Sequence, residues 1–288
     1  MAIIVFLTFD FDALSIWIGT FKQMTPMALS RGEFGSRVGV DRILRVLAVH
    51  DVKATFFVPG HTALTFPGAV CRIAEAGHEI AAYNDLHETP LGLSRDEEWE
   101  IMERAETALV QVVGVRAIGY RSPAWELSPN TIALLVEHGY RYDSSLKADD
   151  FRPYRPRQSD AVEADGEVCF GSEALLWEFP VAWELDDYPY SHFAHRPLNQ
   201  GPRSPREVEV IWLAEFEYCR AHVDHGVFTL TTHPEIIGRG SRIAMLERLI
   251  GAMKEAGGIK FLTMSAAAAE LDKRERYQTG VPQLRDRT

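Results

Sequence analysis

Four segments of this chain end in side chains that can move a proton or hold a cation. The first, TFDFDA, places Asp10 and Asp12 two residues apart, so on an extended chain both carboxylates point one way and Phe11 the other. YNDLHE carries His87 and Glu88, GYRSPAW carries Arg121, and the run VFTLTT leads into His233-Pro234. An isolated DxD is most often a pair of solvated loop acids, and a lone histidine is most often structural. An acid pair, a histidine, an arginine and a second histidine, each closing a different strand-like run, are a different matter. Together they supply a base, a cation site, a guanidinium to orient charge and a general acid, the parts of a hydrolytic site.

The elements that must position these groups alternate. Residues 3–9, 53–58, 78–82, 117–120, 177–180, 227–232 and 260–264 read as buried strands. Helical spacing covers 39–50, where Val40, Ile43, Leu44 and Leu47 share a face, and 67–77, 94–113, 129–138, 204–223 and 241–257. Ser94 with Glu97 forms a capping box, and Gly77 and Gly139 stop their helices. Strand–helix alternation places the chain in the α/β class with a parallel sheet, and this many units in one domain predict a barrel. In such a barrel the C-terminal strand ends carry the chemistry, which is where the four segments fall. One catalytic domain is expected over 1–275, with 276–288 as a tail and 152–159 as a surface loop. There is no internal repeat.

Composition narrows the class. The chain has 288 residues, 46% of them hydrophobic, enough for one sizeable core. With 30 basic and 41 acidic side chains the net charge is −11, which argues against nucleic acid and anionic membrane as partners. The opening MAIIVFLTFDFD lacks the basic region and small-residue cleavage site of a secretory signal, so a cytoplasmic location is expected. Cys71, Cys169 and Cys219 are scattered and read as free thiols.

TFDFDA, KATFFVPGH, GHEIAA…HE, GYRSPAWELSP, YDSSL, EFPVAWELDDYPY and THPEIIGRGSR, in order from about residue 3 to 270, resemble the motif series of the polysaccharide deacetylase superfamily. SIWIG and SRGEFGSRVGVDRIL fit its intracellular branch, which includes cyclic imide hydrolases, an allantoinase-type enzyme and deacetylases without signal peptides. The resemblance implies a deformed (β/α) barrel and a hydrolase of non-peptide C–N bonds. It assigns Asp10 as the general base, Arg121 as its orienting cation, His233 as the acid, and Asp12 and His87 as ligands of a divalent metal, zinc. Asp143, Trp183, Asp186 and Asp187 are expected along the pocket wall, with Tyr83, Trp125, Trp183 and Asp187 binding substrate. The branch also implies a homo-oligomer, with the excursion 15–39 available to a neighbouring copy.

One position departs from the pattern. The family places two metal-binding histidines four residues apart, and here the first is Tyr83. A neutral phenol is a poor zinc ligand. Asn84 or Asp85 could supply a replacement oxygen, or Tyr83 could donate to an oxyanion without metal. Three functional readings follow: a hydrolase of a small cytosolic amide, cyclic imide or N-acyl compound, a carbohydrate N-deacetylase, and an inactive metabolite-binding homologue.

Overall fold

A computed structural model describes residues 2–193 and 201–279. Its frame is set by β1 (Ile3–Asp10), all eight residues of which are buried. Because successive side chains of a strand face opposite ways, Ile3, Val5, Leu7, Phe9 and Phe11 join the core under the helices. Ile4 and Phe6 join a second apolar cluster with Phe57, Ala81, Tyr142, Phe179 and Val227. That second cluster fills the inside of the curved sheet. Thr8, Asp10 and Asp12 continue its register upward, which delivers both carboxylates to the mouth.

The strands that follow are β2 (Thr55–Val58), β3 (Glu79–Ala82), β4 (Gly119–Tyr120) and β5 (Tyr142–Asp143). Beyond two small antiparallel pairs, β6 (Arg157–Gln158) with β9 (Ser172–Glu173) and β7 (Ala161–Val162) with β8 (Val168–Cys169), come β10 (Trp177–Glu178), β11 (Val227–Thr232) and β12 (Ile259–Phe261). The sheet order is β10-β5-β4-β3-β2-β1-β11, all parallel, with β12 also on β1. The strands follow chain order around the barrel, as right-handed crossover helices require.

Between β10 and β11 the barrel is closed differently. The segment after β10 turns through Trp183–Leu185 and makes a single parallel bridge, Asp186 to Thr231, and Asp187 N–H donates to Thr231 O at 3.1 Å. This irregular closure is what carries Asp186 and Asp187 to the end of β11.

The helix expected over 94–113 is Arg95–Val113, with the Ser94/Glu97 capping box formed, and the strand 227–232 is found as expected. Several expected strands shorten to two or three residues. At β4 the packing against Tyr142 admits only glycine: a β-carbon on Gly119 would lie 1.8 Å from the Tyr142 ring. Two expectations need correction. Residues 15–39 are only in part an exposed excursion: residues 24–27 are exposed, Met24 at 65% and Met27 at 50%. The segment forms the turn Ile16–Thr20, the helix Pro26–Phe34 and the turn Gly35–Gly39, and Ile16, Trp17 and Ala28 are buried. The chain also does not pass into a tail at 276, because the last helix runs Met264–Thr279. The rest of the expected tail, from residue 280, lies outside the described residues. Among the described residues no helix is long and apolar enough to cross a membrane.

Candidate active site

Asp10 sits at the end of β1 with 1% exposure, facing Arg121, which is fully buried. Arg121 continues the inward register of β4. Its Nη1 donates to Asp10 Oδ1 (2.7 Å) and Thr8 Oγ1 (3.0 Å), Nη2 to Ser144 Oγ (2.8 Å) and Nε to Ser144 O (2.9 Å). Its guanidinium also lies 4.1 Å above the Phe57 ring. With four of its five N–H groups engaged, the arginine cannot rotate, and neither can the carboxylate it grips.

On the opposite side, His233 caps the end of β11. Its Nδ1–H donates to Asp187 Oδ1 at 2.7 Å, and its backbone N–H also points at the Asp187 carboxylate (3.1 and 3.2 Å). Burial alone would lower the pKa of His233. The hydrogen bond to Asp187 and the charges of Asp186, Asp187 and Asp12 outweigh it and hold the imidazole well above its usual 6.5. That direction favours the protonated ring, with Nε2 left without a hydrogen-bond partner among the described residues.

Asp12 lies between the two pairs. Its carboxylate is fully buried, and among the described residues neither oxygen has a hydrogen-bond partner. Burial, with repulsion from Glu235, Asp10 and Asp186, raises its pKa well above the carboxylate range despite the attraction of His233. His87 Nε2 is 3.7 Å from Asp12 Oδ2, and His233 Nε2 is 3.8 Å from the same atom. Burial pushes His87 down to about 3, so that ring is neutral. A buried, orphaned carboxylate beside a neutral imidazole fits two ligand positions of a divalent ion. Catalytic zinc ordinarily has three protein ligands.

The third position is Tyr83, which continues the inward register of β3 and stands edge-on to His87 with ring centroids 5.2 Å apart. Burial and the charges of Asp10 and Asp12 raise its pKa well above 10.0, so the phenol keeps its proton. The other two oxygens considered for this position are engaged. Asn84 accepts from Tyr120 and donates to Glu88 O, and Asp85 is paired with Arg104 at 3.0 Å. Asp186, Asp187 and His233 also bring ligand atoms within 4.8 Å of one another, but Nδ1 of His233 is already held by Asp187.

Six of these groups open on one cavity of about 220 Å³. Asp10, Asp12, Tyr83, His87, Asp186 and His233 form its floor, and Ile16, Thr20, Phe21, Trp125, Trp183 and Tyr188 its walls. Trp125 and Trp183 stack with centroids 4.2 Å apart. Ala13, Asn84, His87, Ala124 and Trp125 all have positive φ, so the backbone is strained where the strand ends turn over the site.

The structure thus brings together Asp10, Asp12, Tyr83, His87, Arg121, Trp125, Trp183 and His233. Two residues expected on the pocket wall lie elsewhere. Asp187 is behind His233 rather than on the cavity, and Asp143 faces away and accepts from Ser145 Oγ (2.7 Å). Ile16, Thr20 and Phe21 were not expected in the site. Their only signal was the apolar run SIWIG beside a threonine. Tyr83→His is expected to restore the missing ligand. Elemental analysis of dialysed protein should find near-stoichiometric zinc in the variant and clearly less in the wild type, and equal loading would rule out the phenol as the cause.

The comparisons agree with this geometry. The family model for polysaccharide deacetylase matches residues 4–142. A peptidoglycan deacetylase of Helicobacter pylori is 32% identical over 92% of this chain and 94% of its own length. A Mycobacterium smegmatis protein solved under the polysaccharide deacetylase name superposes with TM-score 0.84 at 34% identity, covering 100% of this chain and 94% of that one. The Puue allantoinase structure shares the fold, with TM-score 0.76 at 21% identity over 96% of this chain and 91% of its own. The chain belongs to the polysaccharide deacetylase family and is a hydrolase acting on non-peptide C–N bonds.

Proposed function

We propose that the site hydrolyses the C–N bond of a small amide, cyclic imide or N-acyl compound. One observation carries this reading: Asp10 on Arg121 and His233 on Asp187 face each other across a single cavity of about 220 Å³. Asp10, held by Arg121, takes the proton of an attacking water. Tyr83, held neutral, donates its phenolic hydrogen to the oxygen that gains charge, and His233 gives its Nε2 proton to the departing nitrogen. A divalent ion, zinc by family, would be held by Asp12 and His87, where it would polarise the carbonyl and lower the pKa of water. Aromatic walls around a cavity of about 220 Å³ suit a compact, planar substrate better than a long polymer.

The H. pylori relative favours a second reading, N-deacetylation of an amino sugar, because it aligns along almost the whole of both chains. The two separate in one assay of cyclic imides and simple N-acyl compounds against N-acetylglucosamine oligomers. Turnover of the small compounds is expected, and turnover of the oligomers alone would replace the first reading with the second. On the active substrate the rate should fall as pH rises through the raised pKa of His233, above its usual 6.5. His233→Gln should lose that alkaline limb along with most of the rate. An unchanged pH profile in the variant would move the acid elsewhere.

A further inference from the structure

We infer that Thr20 is a positioning residue: it holds His87 in the Nδ1–H tautomer and so aims the bare Nε2 at Asp12. The inference rests on the hydrolytic site proposed above.

The argument begins with one proton. Thr20 Oγ1 lies 2.6 Å from His87 Nδ1 and 2.9 Å from the His87 carbonyl oxygen. A hydroxyl has one hydrogen and two lone pairs, whereas a carbonyl can only accept. The hydroxyl hydrogen therefore goes to His87 O, and the hydroxyl accepts from Nδ1, which must carry the ring hydrogen. A neutral imidazole has a single N–H, so Nε2 is left with its lone pair. That lone pair faces Asp12 Oδ2 at 3.7 Å, acceptor against acceptor, with both Asp12 oxygens unpartnered among the described residues. Only a cation or a bridging proton makes this arrangement favourable, and a ligating histidine is ordinarily fixed in this way through its second nitrogen.

The backbone supports the same reading. His87 has φ +57, a conformation that a non-glycine residue keeps only when its surroundings hold it. Thr20 ends the turn Ile16–Thr20, which lies against the His87 loop. The approach is so close that a β-carbon on Gly19 would sit 1.6 Å from Leu86 O. A glycine at 19 lets the turn dock, and the threonine beside it makes the contact.

The test compares Thr20→Val, which keeps the shape and removes the hydroxyl, with Thr20→Ser, which keeps the hydroxyl. Thr20→Ala serves the same comparison should the valine variant not fold. Side-chain ¹⁵N NMR of the full chain, with His87→Gln to assign the signals, reads the tautomer without any substrate. Wild type and Thr20→Ser are expected to show a protonated Nδ1 and a bare Nε2 at His87, and Thr20→Val a mixture of tautomers. Cobalt(II) titration should show affinity about 10–100-fold weaker in Thr20→Val and recovered in Thr20→Ser. An unchanged His87 tautomer in Thr20→Val overturns the inference. A shifted tautomer in a protein that turns over no amide leaves the inference standing and removes the hydrolase reading instead.

Discussion

Asp10→Asn is expected to lower kcat by about 10²–10⁴-fold, the contribution of one well-placed proton-transfer group, while the barrel stays folded. Asparagine keeps the shape of the side chain and a carbonyl oxygen to accept from Arg121 Nη1, now 2.7 Å from Asp10 Oδ1. Arg121 also keeps its bonds to Ser144 and Thr8, so the interior remains hydrogen-bonded. What disappears is the capacity to take a proton from water. KM should change little, because in the proposed mechanism Asp10 acts on the attacking water rather than on the bulk of the substrate. Steady-state kinetics on the active substrate give the result directly. A kcat near wild type would show that another group, Asp12 being the nearest in kind, takes the proton.

Arg121→Met is expected to lose activity and, unlike Asp10→Asn, to destabilise the fold by about 3–5 kcal/mol, the usual cost of removing one member of a buried ion pair. The reason is asymmetry. With the guanidinium gone, Asp10 is left 1% exposed with no donor, and Ser144 O and the Thr8 and Ser144 hydroxyls lose theirs as well. Methionine fills part of the volume over Phe57 but donates nothing. Urea unfolding of both single variants and the double variant separates the terms. Adding Asp10→Asn to Arg121→Met removes the stranded charge, so the double variant should be more stable than Arg121→Met alone. A loss below about 1 kcal/mol in Arg121→Met would mean that water reaches the carboxylate in its place.

Much of this site was legible before any coordinate. Period-two alternation in Ile3–Asp10 separates outward Val5, Leu7 and Phe9 from inward Phe6, and carries Asp10 and Asp12 to the mouth together. The strand Val227–Thr232 ends one residue before His233, and β4 one before Arg121, so each group is placed by the element preceding it. The departure at Tyr83 was also visible, because a phenol and an imidazole differ in chemistry whatever surrounds them.

What failed to show was the partnering of these groups. Asn84 and Asp85 looked free to replace a ligand until the fold set Tyr120 on one and Arg104 on the other. Asp187 looked like a wall residue until the bridge from Asp186 to Thr231 brought it behind His233. Nothing local linked Thr20 to His87, since their contact spans 67 positions of chain.

The sequence by itself therefore determined the α/β class, the barrel, the strand ends that bear chemistry, and the residue types that meet there. Those properties follow from local periodicity and side-chain chemistry, which need no partner. Only the tertiary structure decided which acid holds His233, which is left orphaned, and how the turn at Gly19 and Thr20 closes over His87. Each of those depends on groups far apart in the chain meeting in a buried space, where an ion pair or a single hydroxyl proton sets the state of its neighbour.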